Sequence, residues 1–164
     1  ARGDRAEAQR LLDRALPLAR WSVIGMHLLQ RIYGTMIAAA PDPRAARAVV
    51  DMAEATLGET DACPFCDVML AVPASIACAD TLDVEGARRH LVVAEQSASR
   101  WEGRAWDAAV LEARAHLARA EGKTEDFKEI LAEAARLFTA SGHPLDAERV
   151  ARAAHGLAAA PVPV

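Results

Sequence analysis

The chain has 164 residues, of which 52% are hydrophobic but only 4% aromatic, so alanine, leucine and valine supply most of its apolar content. This length is sufficient for one domain with a substantial core, and an alanine-rich composition favours helices that pack closely. The formal net charge of −4 gives no electrostatic reason to expect binding to nucleic acid or anionic membranes. No apolar run is long enough to span a bilayer. The composition therefore predicts a helical protein without a nucleic-acid or membrane partner.

A pattern of small and apolar residues recurs about every 40 residues, beginning at positions 3, 41, 82 and 122. Each copy opens with a turn-like pair, and small or apolar residues stand four, eight and eleven positions after its second member. These aligned residues are Ala8, Leu12 and Ala15; Ala46, Val50 and Ala53; Ala87, Leu91 and Ala94; and Phe127, Leu131 and Ala134. Such offsets lie on one face of a helix, so each copy predicts one helix.

Further helices are predicted between these copies, at 21–39, 64–80, 104–120 and 144–158. Each repeat then forms a helical hairpin. The predicted fold is all-α, a right-handed solenoid of about four antiparallel hairpins that fills residues 1–158 as one domain. Residues 159–164 are predicted to be a disordered tail.

Polar caps and prolines mark the predicted helix boundaries. Three aspartates precede apolar patterns and are predicted N-caps: Asp4, Asp42 and Asp83. Pro64 and Pro144 suit a first helical turn. Pro17 should end the first helix early, and Pro73 should kink the element at 64–80.

The repeat resembles a tetratricopeptide repeat. The turn Gly3-Asp4 and the apolar positions that follow it are similar to the turn and second helix of that motif. Gly34, Ser75 and Ala115 stand seven residues before the next three turns, where tetratricopeptide repeats have a small residue at the crossing of the two hairpin helices. The period near 40 and the positions of the tryptophans depart from the standard repeat.

Longer, irregular repeats of this kind are similar to the sensor regions of large bacterial regulators, such as LuxR-type and maltose-regulator-like ATPases. The resemblance implies a binding module of a transcriptional regulator. The lack of a signal-type apolar block predicts a cytoplasmic location. The first copy begins with a second helix, which predicts that the chain is a fragment and that more repeats, or another domain of the parent protein, precede residue 1.

A solenoid of this type binds partners on its concave face, lined by the first helix of each hairpin. The residues predicted on that face are Leu28, Arg31, Thr35, Met69, Val72, Ile76, Ala109, Glu112 and His116. The face is apolar at its centre, and three polar side chains, Arg31, Glu112 and His116, are available to orient a partner protein, a peptide or a small apolar ligand. The alternative is that the helices close this face and bury it as core.

The stretch Cys63-Pro64-Phe65-Cys66 has the C-x-x-C spacing of thiol–disulfide and zinc sites. In the predicted stack, Cys63 lies level with residues 22–25, which places His27 within a turn and makes it a candidate third ligand for zinc or another soft metal. A reversible Cys63–Cys66 disulfide is a second hypothesis. The third is a plain helix start, capped by Asp61 or Cys63.

The sequence contains no catalytic motif, no Gly-rich phosphate loop and no H-E-x-x-H pattern, so no enzyme activity is predicted. Cys78 is interpreted as a packing residue. Three cysteines form no paired framework, which favours a reducing compartment. The leading function is a ligand-binding or partner-binding sensor. The alternatives are a thiol or soft-metal sensor and an architectural scaffold that self-associates, for example as a homodimer.

Overall fold

The computed structural model describes residues 4–58, 63–102 and 104–155. Within these residues the chain forms eight α-helices and no strand, which confirms the all-α prediction. The helices are α1 (Arg5–Arg20), α2 (Gly25–Ala39), α3 (Pro43–Leu57), α4 (Asp67–Asp80), α5 (Val84–Ala98), α6 (Ala105–Ala120), α7 (Thr124–Ala140) and α8 (Pro144–Ala154). None of the described helices is both long enough and apolar enough to cross a membrane. The predicted tail at 159–164 lies outside the described residues.

Each helix packs against the next one along the chain, and α4 also packs against both α2 and α6. The central position of α4 explains its composition. Residues on nearly all sides of this helix are buried, from Val68 to Ala79. A helix that is apolar all round requires neighbours all round. The packing therefore places α4 at the centre and brings its N-terminal end beside the first turns of α2.

The three predicted aspartate caps are confirmed. The side chains of Asp4, Asp42 and Asp83 each accept a hydrogen bond from the backbone N–H three residues later, at 2.8–2.9 Å. An N-cap of this kind stabilises a helix by about 1 kcal/mol. Pro144 occupies the first turn of α8 as predicted.

Two predicted boundaries near the N-terminus are wrong. Pro17 does not end α1, which continues to Arg20. The proline is exposed, so water can solvate the carbonyl four residues earlier that loses its hydrogen bond. The next helix begins at Gly25 instead of residue 21, because residues 21–24 form tight turns in which Ser22 N–H donates to Ala19 O at 3.1 Å.

The repeat positions lie in the core. From the second copy onward every aligned residue is less than 9% exposed, and Ala87, Leu131 and Ala134 are fully buried. In the first copy, Ala8, Leu12 and Ala15 are half-buried. The difference follows from position: the first copy forms α1, whose main neighbour is α2, and the later copies lie between other helices.

The three predicted small residues are all buried, but they do not all serve the same crossing. The hydroxyl of Ser75 donates to Ala87 O at 2.9 Å, within the hairpin of α4 and α5 as predicted. Gly34 instead faces the backbone of Met69 and Leu70 on α4, which belongs to the next hairpin. The close approach at Gly34 is therefore between α2 and α4.

His90 on α5 provides a pH-dependent contact with α3. Its Nε2 lies 3.1 Å from Glu54 Oε1, and its side chain is 16% exposed. Burial lowers the pKa of His90 and outweighs the opposing effect of Glu54; Arg89 and Arg47 also favour the neutral ring. The folded protein therefore binds a proton at His90 less readily than the unfolded chain.

We expect the free energy of unfolding to fall as the pH is lowered below roughly 6.5, the ordinary pKa of histidine, because the unfolded state then takes up the proton first. His90→Gln should flatten this dependence, measured by urea unfolding at a series of pH values. The exposed His155 offers a control, since His155→Gln should leave the slope unchanged. Equal slopes for all three proteins would contradict the assignment to His90.

Candidate functional site

Three soft ligand groups meet where α2 approaches the start of α4. His27 comes from the first turn of α2, Cys63 from the segment before α4, and Cys66 from the N-cap position of α4. One potential ligand atom from each lies within 4.8 Å of the others, and His27 Nδ1 lies 3.4 Å from Cys66 Sγ. His27 is exposed and both cysteines are half-buried. The structure thus brings together the three residues selected from the sequence, at a place open to solvent.

The C-x-x-C segment forms a turn before the helix, which corrects two predictions. Cys63 O accepts hydrogen bonds from Cys66 N–H at 2.9 Å and from Asp67 N–H at 3.0 Å. Pro64 therefore lies in this turn instead of in the first turn of α4, and Cys66, not Cys63, is the N-cap residue. The alternative cap, Asp61, lies outside the described residues. The turn folds both thiols back toward each other.

The turn is held from its other side by one residue in the last turn of α5, Ser97, and one just after this helix, Trp101. Trp101 Nε1 donates to Phe65 O at 2.7 Å, and Ser97 Oγ donates to the same carbonyl at 3.3 Å. Ser97 also accepts from Val68 N–H at 3.0 Å. The Phe65 and Trp101 rings meet edge to face with centroids 6.1 Å apart. The sequence did not predict these contacts with Phe65. Its one indication of them was that Trp101 departs from the repeat pattern.

The two thiols differ in acidity. Although burial opposes it, the pKa of the Cys63 thiol is lowered, because the N–H groups of Cys66 and Phe65 and the Cys66 thiol stabilise its thiolate. Burial and the neighbouring Cys63 raise the pKa of Cys66 to about 11. Cys63 is therefore the stronger nucleophile and the readier metal ligand of the pair.

One turn beyond His27, a buried amide ties the same two helices together. Gln30 is 1% exposed and donates from Nε2 to Asp67 Oδ1, while its Oε1 has no hydrogen-bond partner among the described residues. Burial is the main cause of the raised pKa of Asp67. This pair fixes the register of α2 against α4 directly beside the sulfur atoms.

A cavity of about 530 Å³ opens beside the cluster. Its walls come from the end of α1, the 21–24 turns, the start of α2 and the segment before α4. The lining residues are Arg20, Ser22, Val23, Ile24, Gly25, Met26, His27, Leu29, Cys63 and Pro64. His27 and Cys63 thus belong to both the cluster and the cavity.

The residues of the predicted concave groove are placed differently. Val72, Ala109 and Glu112 are buried, Leu28, Met69, Ile76 and His116 are half-buried, and Arg31 and Thr35 are exposed. The central residues belong to the hydrophobic core or pack against it. The groove remains a prediction, and its central residues are buried or half-buried instead of solvated.

Two of the polar groups expected to orient a ligand have partners inside the protein. Arg149 on α8 donates two hydrogen bonds to the carboxylate of Glu112, one of them at 2.9 Å. His116 Nδ1 lies 2.6 Å from Asp80 Oδ1, which also accepts from Arg119 at 2.6 Å. Burial alone would raise the pKa of Asp80, but His116 and Arg119 outweigh it and the pKa is lowered. These groups stabilise the helix packing.

Cys78 is 1% exposed within α4. Burial raises the pKa of its thiol to about 11. Both facts agree with its interpretation as a packing residue.

Comparison with known proteins gives no match for this chain, either to a protein-family model or to a curated protein or solved structure. Its function is therefore argued from the geometry of the cluster and cavity.

Proposed function

We propose that this chain is a non-catalytic sensor module, built as a tetratricopeptide-like solenoid, that binds a soft metal ion such as zinc at His27, Cys63 and Cys66. The solenoid arrangement is supported by side-chain contacts between residues 36 or 37 positions apart, close to the sequence repeat. These pairs are Gln30–Asp67, Arg47–Asp83, Glu54–His90, Asp80–His116 and Glu112–Arg149. Contacts at one repeat length are what stacked hairpins produce.

The observation that carries the metal assignment is the convergence of one imidazole and two thiols within 4.8 Å. Thiolates and imidazole are preferred zinc ligands, and two cysteines with one histidine form a known three-ligand set that leaves a fourth position open. Cys63 supplies the readier thiolate. The turn at 63–66 already places a sulfur atom of each cysteine within 4.8 Å of a ring nitrogen of His27.

Metal binding offers a route to a signal. His27 lies in α2 and Cys66 is the N-cap of α4, so a shared ion adds a link between these two helices at the end that opens to solvent. An ion that binds one arrangement of these helices more tightly shifts the population toward it. By resemblance to bacterial regulators, the receiver of this shift is a further domain of the parent protein.

Zinc titration tests the proposal. We expect the purified, reduced chain to bind one zinc ion, and zinc at 100 times its dissociation constant to increase the free energy of unfolding by about 2.7 kcal/mol. Cys66→Ser and His27→Ala should each reduce zinc affinity by at least about tenfold. Native mass spectrometry gives the stoichiometry, and thermal unfolding gives the stabilisation.

Cys78→Ser is the matched control, because Cys78 is buried away from the cluster. It should retain the zinc-dependent increase in stability. A wild-type chain that gains no stability from zinc, or a Cys78→Ser variant that loses the gain, would contradict the proposed site.

A second candidate function rests on the proximity of the two thiols, whose sulfur atoms lie within 4.8 Å of each other at a solvent-accessible turn. The Cys63 thiolate can attack peroxide to give a sulfenic acid and hydroxide, and the Cys66 thiol then displaces water from the sulfenic acid to form the disulfide. Peroxide should therefore remove two free thiols and block zinc binding. A reductant should restore the two thiols and zinc binding.

A further inference from the structure

The cavity beside the cluster is lined by three kinds of side chain. His27 and Cys63 are two of the three proposed metal ligands. Arg20, in the last turn of α1, supplies a positive charge. Apolar side chains, among them Val23 and Ile24, also line the cavity. The volume of about 530 Å³ is within the range of small-molecule sites.

An ion held by these three residues would have two of its ligands in the cavity lining. His27 and Cys63 line the cavity, whereas Cys66 does not. Three protein ligands leave a tetrahedral zinc ion one position for an external group. A ligand in the cavity can therefore reach the metal directly, and a soft donor such as sulfur is favoured there.

Arg20 provides an available cation in the cavity lining. Its guanidinium makes one long contact, 3.4 Å to the hydroxyl of Thr56, and no carboxylate pairs with it in the part of the chain that the structure describes. By contrast, Arg47, Arg88 and Arg149 each pair with carboxylates. A guanidinium matches the geometry of a carboxylate and binds it with two parallel hydrogen bonds.

We propose that this cavity binds a small thiol that carries a carboxylate, with its sulfur on the metal and its carboxylate on Arg20. The inference rests on the proposed metal site. On binding, the S–H bond of the ligand breaks, its proton goes to solvent, and the thiolate forms a bond to the metal and displaces water. The metal keeps its oxidation state. The hydrocarbon part of the ligand lies along Val23 and Ile24.

The test uses the full chain loaded with cobalt(II), a spectroscopic substitute for zinc whose visible and sulfur-to-metal charge-transfer bands respond to a new thiolate ligand. Three probes separate the metal contact from the Arg20 contact: 3-mercaptopropionate, 3-mercapto-1-propanol and propionate. We expect 3-mercaptopropionate to add a thiolate-to-cobalt band to those of Cys63 and Cys66, and to bind about tenfold more tightly than the alcohol, the size of a hydrogen bond to a charged group. Propionate should add no such band.

Arg20→Gln should bind the metal as the wild type does, but should bind 3-mercaptopropionate no more tightly than 3-mercapto-1-propanol. Arg14→Gln is the matched control, since Arg14 is an exposed arginine of the same helix that does not line the cavity. It should retain the preference for the carboxylate.

The failure of each step can be distinguished. A chain that binds cobalt and zinc but shows no change in its thiolate-to-cobalt bands with either thiol probe overturns this inference and leaves the metal site standing. Equal affinity for the two thiols, or removal of the metal by the thiol, detected as metal in the filtrate after ultrafiltration, also overturns it. A chain that binds no metal overturns the proposed function and this inference with it.

Discussion

Replacing Gly34 with alanine is expected to reduce the free energy of unfolding by about 3 kcal/mol, a severe effect for one added methyl group. In an ordinary helix interior, glycine to alanine stabilises by about 0.5–1 kcal/mol. Here the added carbon would overlap Met69 O and lie 2.8 Å from Met69 C and 3.3 Å from Leu70 Cα. These are backbone atoms of α4, so relief requires α2 and α4 to separate.

The crowding at Gly34 is linked to Pro73. Pro73 lies inside α4 and has no N–H to offer to the carbonyl four residues earlier, which is that of Met69. The proline ring also pushes this carbonyl away from the helix axis, and Gly34 leaves room for it. Pro73→Ala in the Gly34→Ala background should therefore recover part of the lost stability, measured by urea unfolding of the wild type, both single variants and the double variant.

Gly34→Ala should also weaken zinc binding, because separation of α2 from α4 moves His27 away from Cys66. Thr35→Ala is the control: Thr35 is exposed, and its hydroxyl bonds to its own helix at Arg31 O. It should change stability by less than about 0.5 kcal/mol. A Gly34→Ala protein as stable as the wild type would contradict the close approach of the two helices.

Replacing Arg149 with methionine is expected to cost about 2 to 3 kcal/mol, because it leaves the carboxylate of Glu112 unpaired at 5% exposure. The cost is below that of a fully buried pair because the Arg149 side chain is 48% exposed. The double variant Glu112→Leu/Arg149→Met should recover most of the loss, since it removes the buried charge as well as its partner.

The exposed pair Glu133–Arg136 provides the comparison. Its side chains are 44% and 63% exposed, and Arg136→Met should cost less than about 1 kcal/mol. Urea unfolding gives the free energy of unfolding of the wild type, the two Arg149→Met proteins and Arg136→Met. A double variant that remains as unstable as Arg149→Met would mean that lost packing, and not the unpaired charge, causes the effect.

Several features of the fold could be predicted because their causes are local. The spacing of Val50, Leu91 and Leu131 from their turns placed them on the buried faces of α3, α5 and α7. A proline is a weaker predictor of a helix end. Its effect depends on whether the carbonyl that it leaves without a hydrogen bond is solvated by water or packed against another helix. Pro17 is exposed and leaves α1 intact. Pro73 is half-buried, and the carbonyl four residues before it, that of Met69, faces Gly34 of α2.

The candidate site was predicted only in outline. The residue types and the approximate level of His27 followed from the repeat, but the turn at 63–66 did not. Its shape depends on Trp101 and Ser97, which bond to Phe65 O from more than 30 residues away. Likewise, nothing local to Glu112 indicated that Arg149 would take up its carboxylate.

The sequence by itself determined that this chain is helical, where most helices lie, which faces are buried and which side chains could hold a soft metal. These properties depend on patterns within one helix or its caps. Only the tertiary structure decided that His27 meets Cys66 at 3.4 Å, that a cavity joins this cluster to Arg20, and that Gly34 faces α4 instead of α3. Those facts depend on the distance and register between helices, which follow from the packing of all their side chains together.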